Sequence, residues 1–213
     1  MRRDAERNRE LILEAAREVY AEQGVEAPLD VIARRAGVGN ATVYRRFPDR
    51  ATLIDAVFGE ALTATLHLGE EARTAHDPWK GLTGYLTRIF EGLAADRGAN
   101  DLMTTKVQGI PSLDTLHAHH HRTIELLLTR AQRQGSVRAD VTTEDLLLAL
   151  AALGRTVPAA SAVVRDSWRR HLALLLDGLR AAAAVEPLPD PSLDAAQLTE
   201  VLHGMTPLAG GAR

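Results

Sequence analysis

Between Asn40 and Arg46 the chain places an amide, a hydroxyl, a phenol and two guanidinium groups within two helical turns. Asn40, Thr42, Tyr44, Arg45 and Arg46 are donors and acceptors with no nucleophile–base pair among them, so they offer recognition rather than turnover. Arginine can pair with guanine and asparagine with adenine, while hydroxyls and cations suit phosphate oxygens. Ala41 shares the outward side with them. The bland reading of Thr42 and Tyr44 is surface packing. For Asn40, Arg45 and Arg46 it is phosphate contact without base readout. Arg50, Arg3 and Arg7 would position a duplex without reading its sequence.

A second group is the imidazole run His117, His119, His120 and His121. His117 and His121 lie four apart on one helical face, and Glu125 continues that stripe, a spacing that could chelate a divalent metal. The favoured alternative has these imidazoles lining a pocket or facing solvent, and no metal or cofactor is assigned. No GxSxG, GxxxxGK[ST], HExxH or GxGxxG occurs. The absence of cysteine removes disulfides, thiolate chemistry and cysteine zinc sites.

The polar stretch needs a scaffold, and its flanks supply one. Leu29 to Ala36 reads as a short helix with Asp30 in its first turn. Gly37 stops it, Asn40 can cap a second helix over Ala41 to Arg46, and Pro48 closes that helix. Ala33 is small enough for a close crossing, Gly37 makes the turn, and Val43 plugs the second helix into the first. Ile32, Ala36 and Val38 complete the apolar side. This is the packing of a helix-turn-helix whose second helix enters the major groove.

The run IARRAGVGNATVYRRFPDR, followed by Leu53, resembles the TetR (tetracycline-repressor-like) transcriptional regulators. The matching positions are Ile32, Ala33, Ala36, Gly37, Val38, Thr42, Tyr44, Phe47, Arg50 and Leu53. Arg50 departs from the lysine usual there, which keeps the cation but changes its geometry. The resemblance covers about the first quarter of the chain. It implies an all-α fold with a three-helix head, a helical regulatory and dimerisation body, and about nine helices. An SbtR-like C-terminal region is the closer relation it suggests. It also implies a homodimer, double-stranded operator DNA and a small-molecule effector as partners, and a repressor role.

The rest of the 213 residues fits that outline. The chain is 46% hydrophobic, enough for a sizeable core, and rich in alanine and leucine rather than β-branched runs. Its net charge of −3 is unfavourable for DNA, but five arginines face one carboxylate, Asp49, between Val31 and Arg50. The N-terminus is charged and polar, and no apolar run of roughly 20 residues stands out, so a cytoplasmic protein is expected.

Three regions are expected: a head over residues 1–48, a body over 49–184, and a Pro/Gly-rich, partly disordered tail over 185–213. Body helices are expected from Arg50, Pro78, Ser112, Glu144 and Ser161, with Gly154 to Ala160 a break at Pro158. Helices Glu144 to Leu153 and Ser161 to Ala184 would pair between two copies as a four-helix bundle. Ser192 to His203 could be a short amphipathic helix. Phe58, Tyr85, His120 and Ile124 are the candidate effector contacts, because the family builds its cavity from the middle helices. Two rival readings are a helix-turn-helix scaffold that does not read DNA, and an all-helical enzyme.

Overall fold

The computed structural model describes residues 2–104 and 109–204, apart from the side chains of Arg2, Arg3 and His203. Among these residues there are ten α-helices, one 3₁₀ turn at Ala181–Ala183, and no strand beyond one isolated bridge, Val137 with Arg180. Residues 105–108, in the expected body, and 205–213, in the expected tail, lie outside the described residues.

Helix α1 (Arg2–Gln23) buries Ile12, Ala16, Val19 and Tyr20 along one face, and Gly24 ends it at φ +85. Helices α2 (Leu29–Arg35) and α3 (Asn40–Arg46) cross with Ile32, Ala33 and Val43 almost wholly buried between them. The turn follows from Gly37 at φ +68, where Val38 N–H reaches back to the Ala33 carbonyl at 3.0 Å. The cap of α3 is Gly39, not Asn40. Gly39 is extended, its carbonyl accepts from Thr42 N–H at 2.8 Å, and Asn40 is the first helical residue. The Asn40 amide therefore stays exposed rather than being used in the turn.

Helix α4 (Arg50–Arg73) starts at Asp49, whose carboxylate accepts from Thr52 N–H at 2.7 Å. It sends Leu53, Ile54 and Phe58 into the head's core. Helix α5 (Pro78–Ala95) begins with the Asp77 cap and proline at its first position. Helix α6 (Arg97–Thr104) is short. Helix α7 (Pro111–Arg133) is capped at Ile110, not Ser112, whose hydroxyl instead donates to Asp55. Helices α4 and α5 both pack on α7. Two apolar cores result: one joins α1–α3 to α4, α6 and the start of α7, and the other joins α5, α7, α8 and α9.

The expected break at Pro158 does not occur. Helix α8 runs unbroken as Thr143–Val163, opened by a Thr142/Asp145 capping box. A proline there removes the N–H that would serve the carbonyl of Gly154, four residues back. Asn100 on α6 fills the vacancy, its side-chain amide donating to the Gly154 carbonyl at 2.9 Å. Gly154 also lets Thr104 close in, since a Cβ there would sit 2.7 Å from its methyl group. Helix α9 is correspondingly shorter than expected, Ser167–Gly178, and starts after Asp166 at φ 61.

The continuous α8 corrects the reading of membrane potential too. By length and composition alone, this 21-residue helix holds an 18-residue window of mean hydropathy 1.7 that matches a membrane span, with 22% of that window buried in the single chain.

The tail folds back on the body. Arg138 and Asp140 form a two-point ion pair at 2.6 and 2.8 Å, and together they hold the Glu186 carbonyl and the Leu188 N–H. Helix α10 (Ala195–Gly204) then lies against α8 with Leu198 only 5% exposed.

Candidate nucleic-acid interface

Helix α3 has one inward residue in its middle, Val43, and its other side faces out. Asn40, Ala41, Tyr44, Arg45 and Arg46 are exposed, Tyr44 at 54%, and Thr42 is half-buried. Had Thr42 to Arg46 turned into the head they could not read DNA; apart from Val43 they do not turn inward. Arg7 is exposed on α1, and Arg3 lies on the same helix with its side chain outside the description.

The five arginines around the turn divide by partner. Arg34 meets Asp30 at 3.2 Å. Arg35 holds Glu18 and Glu22 on α1 at 3.0 and 2.9 Å, and keeps the Glu22 carboxyl below its usual range. Arg50, expected on phosphate, also braces the head. One of its terminal nitrogens donates to the Val25 and Ala27 carbonyls at 2.6 and 2.7 Å, bracing the loop between α1 and α2. Among the described residues, neither Arg45 nor Arg46 is in an ion pair. Charge that the protein does not neutralise is what a phosphate backbone can use.

The body holds a cavity of about 240 Å³, small for a ligand site. Helices α5, α6, α7, α8 and α10 line it, with Leu86, Phe90, Met103, His120, Leu150 and Leu198 among its walls. Of the four expected effector contacts, His120 alone lines this space. Tyr85 stands directly behind it, its hydroxyl 3.0 Å from His120 Nδ1. Phe58 belongs to the head's core, stacked on Tyr20 at 6.1 Å between centroids. Ile124 lies one turn beyond His120 and is wholly buried in the body's core. Neither side chain lines this cavity: sequence places a residue on a middle helix but does not say which side of it meets the void.

Desolvation, chiefly, pushes the His120 imidazole down to about 3, with His117, His119 and His121 adding to the effect. The ring lies deep yet keeps some open surface, because that surface faces the cavity. Burial likewise raises the Tyr85 phenol, so both groups are neutral. The possible chelating stripe is otherwise engaged. His117 Nε2 is 3.1 Å from the Leu102 carbonyl, and His121 sits between Glu125 at 3.9 Å and Glu144 at 3.5 Å. No cluster of three such ligands exists among the described residues.

Residues missed from sequence were Asn100 and the cavity wall from α10. The spacing of Leu198 and Leu202 was a usable signal for the latter.

Comparison with known proteins bears on both halves. Residues 12–57 match the family described as bacterial regulatory proteins, tetR family. Residues 77–181 match the C-terminal domain described as SbtR-like transcriptional regulator. The chain is 32% identical over 132 residues to the uncharacterized HTH-type transcriptional regulator Mb2274c of Mycobacterium bovis, covering 60% of this chain and 68% of that one. It is 26% identical over 213 residues to the HTH-type transcriptional regulator TtgR of Pseudomonas putida, covering 94% and 96%. Among solved structures it is similar to the TetR transcriptional regulator SCO0520 of Streptomyces coelicolor, with 31% identity, 81% and 98% coverage, and a TM-score of 0.52. The outward α3, the all-helical body and these relatives converge: the chain belongs to the TetR family and is a DNA-binding transcriptional regulator.

Proposed function

We propose that the protein is a repressor that grips a roughly palindromic operator as a homodimer and releases it when a small molecule occupies the body. Residues 1–48 act as the reading head and 49–184 as the sensing and pairing body. The observation that carries the reading is the exposed, uncompensated face of α3, above all Arg45 and Arg46. Asn40, Ala41, Thr42, Tyr44, Arg45 and Arg46 meet the major groove, with Arg3 and Arg7 on flanking phosphates. Arg50 supports the head from behind through its loop carbonyls.

Pairing runs through α8 and α9. The support is their unburied apolar surface, with Val163 at 85%, Val164 at 59% and Leu174 at 61% exposure. A partner copy covering that surface would make a four-helix bundle and space two heads along one face of the duplex. The cavity in the body supports the effector. An effector acts only if it favours one head spacing over another. A DNA-reading role sets the protein in the cytoplasm.

Anisotropy with duplex DNA from upstream of the protein's own coding region tests this. Tyr44→Ala and Arg45→Ala should each weaken binding at least tenfold, on the order of 1–3 kcal/mol. Arg45→Ala should also lower the salt slope by about 1. Both side chains are exposed, so the head should stay folded. Wild-type affinity in both variants would remove α3 from the interface.

A further inference from the structure

Among the described residues the cavity wall is mostly aliphatic and aromatic, and no lining side chain is an Asp, Glu, Lys or Arg. Its described polar groups are two threonines and three histidines. A charged guest would leave water without a counter-ion to meet it. His120 sets the polar end. A phenol is a better donor than acceptor, so we assign the Tyr85 proton to the 3.0 Å contact with Nδ1, which leaves the neutral ring's own proton on Nε2. That N–H is a donor, and its complement is an acceptor.

The opposite wall is not part of the family's matched region, which stops at residue 181. Helix α10 contributes Ala195, Leu198, Thr199 and Leu202. It is a self-contained unit: Asp194 and Gln197 satisfy each other's backbone N–H groups at 2.9 and 2.8 Å, as in a capping box. Gln197 and Glu200 on its other faces are exposed. Behind it, residues 189–194 form an exposed tether, with only Leu193 half-buried, and the chain is clamped at Glu186 and Leu188. The helix can therefore leave its seat without disturbing either core.

Resting on the effector reading above, we infer that the cavity binds a small neutral, mostly apolar molecule bearing one hydrogen-bond-accepting oxygen, and that α10 is its removable roof. Ligand passes when Leu198 and Leu202 lift. The oxygen then docks on His120 Nε2–H, and the roof closes over the apolar part.

The test uses the full chain with N-phenyl-1-naphthylamine as fluorescent probe, displaced by 2-decanone or by decanoate. The ketone should compete at least tenfold better than the carboxylate. His120→Phe should retain the probe and weaken the ketone at least fivefold. Leu198→Ser with Leu202→Ser should speed probe association at least fivefold in stopped flow, with operator affinity in the absence of ligand within twofold of wild type. Equal competition by decanoate, or an unchanged association rate, overturns the inference. Expected binding with no effect on operator affinity upholds the site and overturns the effector reading. Ketone-driven operator release insensitive to both the His120 and the α10 variants does the reverse.

Discussion

Arg45 and Arg50 carry the same charge five positions apart, yet their surroundings give them different work. Arg45 projects from α3 with no carboxylate or carbonyl to hold it. Arg50 reaches backward to two loop carbonyls that no helix serves. Charge counting along the sequence cannot separate the two, because the distinction lies in who else is within 3 Å. The same holds for the histidines, four similar letters with four different environments. For His120 this has a measurable consequence. Its folded pKa is about 3, against roughly 6.5 in the unfolded chain. Above pH 6.5 both states are neutral and the group costs nothing. As pH falls from 6.5 towards 3, the unfolded chain takes up a proton that the folded chain refuses, so stability drops. The slope attributable to this ring is about 1.4 kcal/mol per pH unit. Urea titrations between pH 7 and 4.5 should show it, and His120→Phe should flatten the curve by that amount. An identical slope in the variant would mean that the ring is protonated in the fold.

At the scale of elements, α8 shows how a rule about one residue yields to a partner far along the chain. Pro158 ought to end a helix, and does not, because Asn100 supplies the donor that proline withholds. Asn100 is itself 1% exposed, and its backbone carbonyl accepts from Thr104. Asn100→Ala should therefore leave the Gly154 carbonyl buried and unserved, at a cost of about 1–3 kcal/mol in denaturant unfolding. Stability unchanged within error would show that α8 does not need the bond.

The same example marks the limit of sequence reading. The helix-turn-helix was legible because its determinants, Ala33, Gly37 and Val43, lie within ten positions and act locally. Helices α4, α5 and α7 were legible through periodicity, although α7 is capped at Ile110 rather than Ser112. What sequence did not show depended on distant partners: Asn100 against Gly154, and Phe58 stacked on Tyr20. The tail sits between these cases. Its amphipathic helix was visible in Leu198 and Leu202, but its seat on α8 was not.

At the scale of the whole molecule, the single chain leaves apolar surface that solvent would not favour. Leu174 on α9 and Val163 at the end of α8 are exposed, while the buried sides of both helices already serve the body's core. Leu174→Glu changes nothing inside the protomer, so it should preserve helicity and thermal unfolding at high dilution. Across a partner copy it would bury an unpaired carboxylate. Sedimentation should then show the dimer dissociating at concentrations at least tenfold higher than for wild type, with operator binding lost in parallel. A variant that stays dimeric would move the pairing surface elsewhere. Within one protomer, α6 has an unusual set of obligations. Asp101 accepts from Val25 N–H behind α1, Asn100 seals α8, and Met103 and Thr104 form part of the cavity wall. All this occurs on a rod about 12 Å long. On the proposed reading of guest and twin, a push on the cavity side of that rod would reach the loop beneath the reading head and the pairing helix through direct contacts. The stiffness of one two-turn strut would then set how faithfully occupancy becomes leverage.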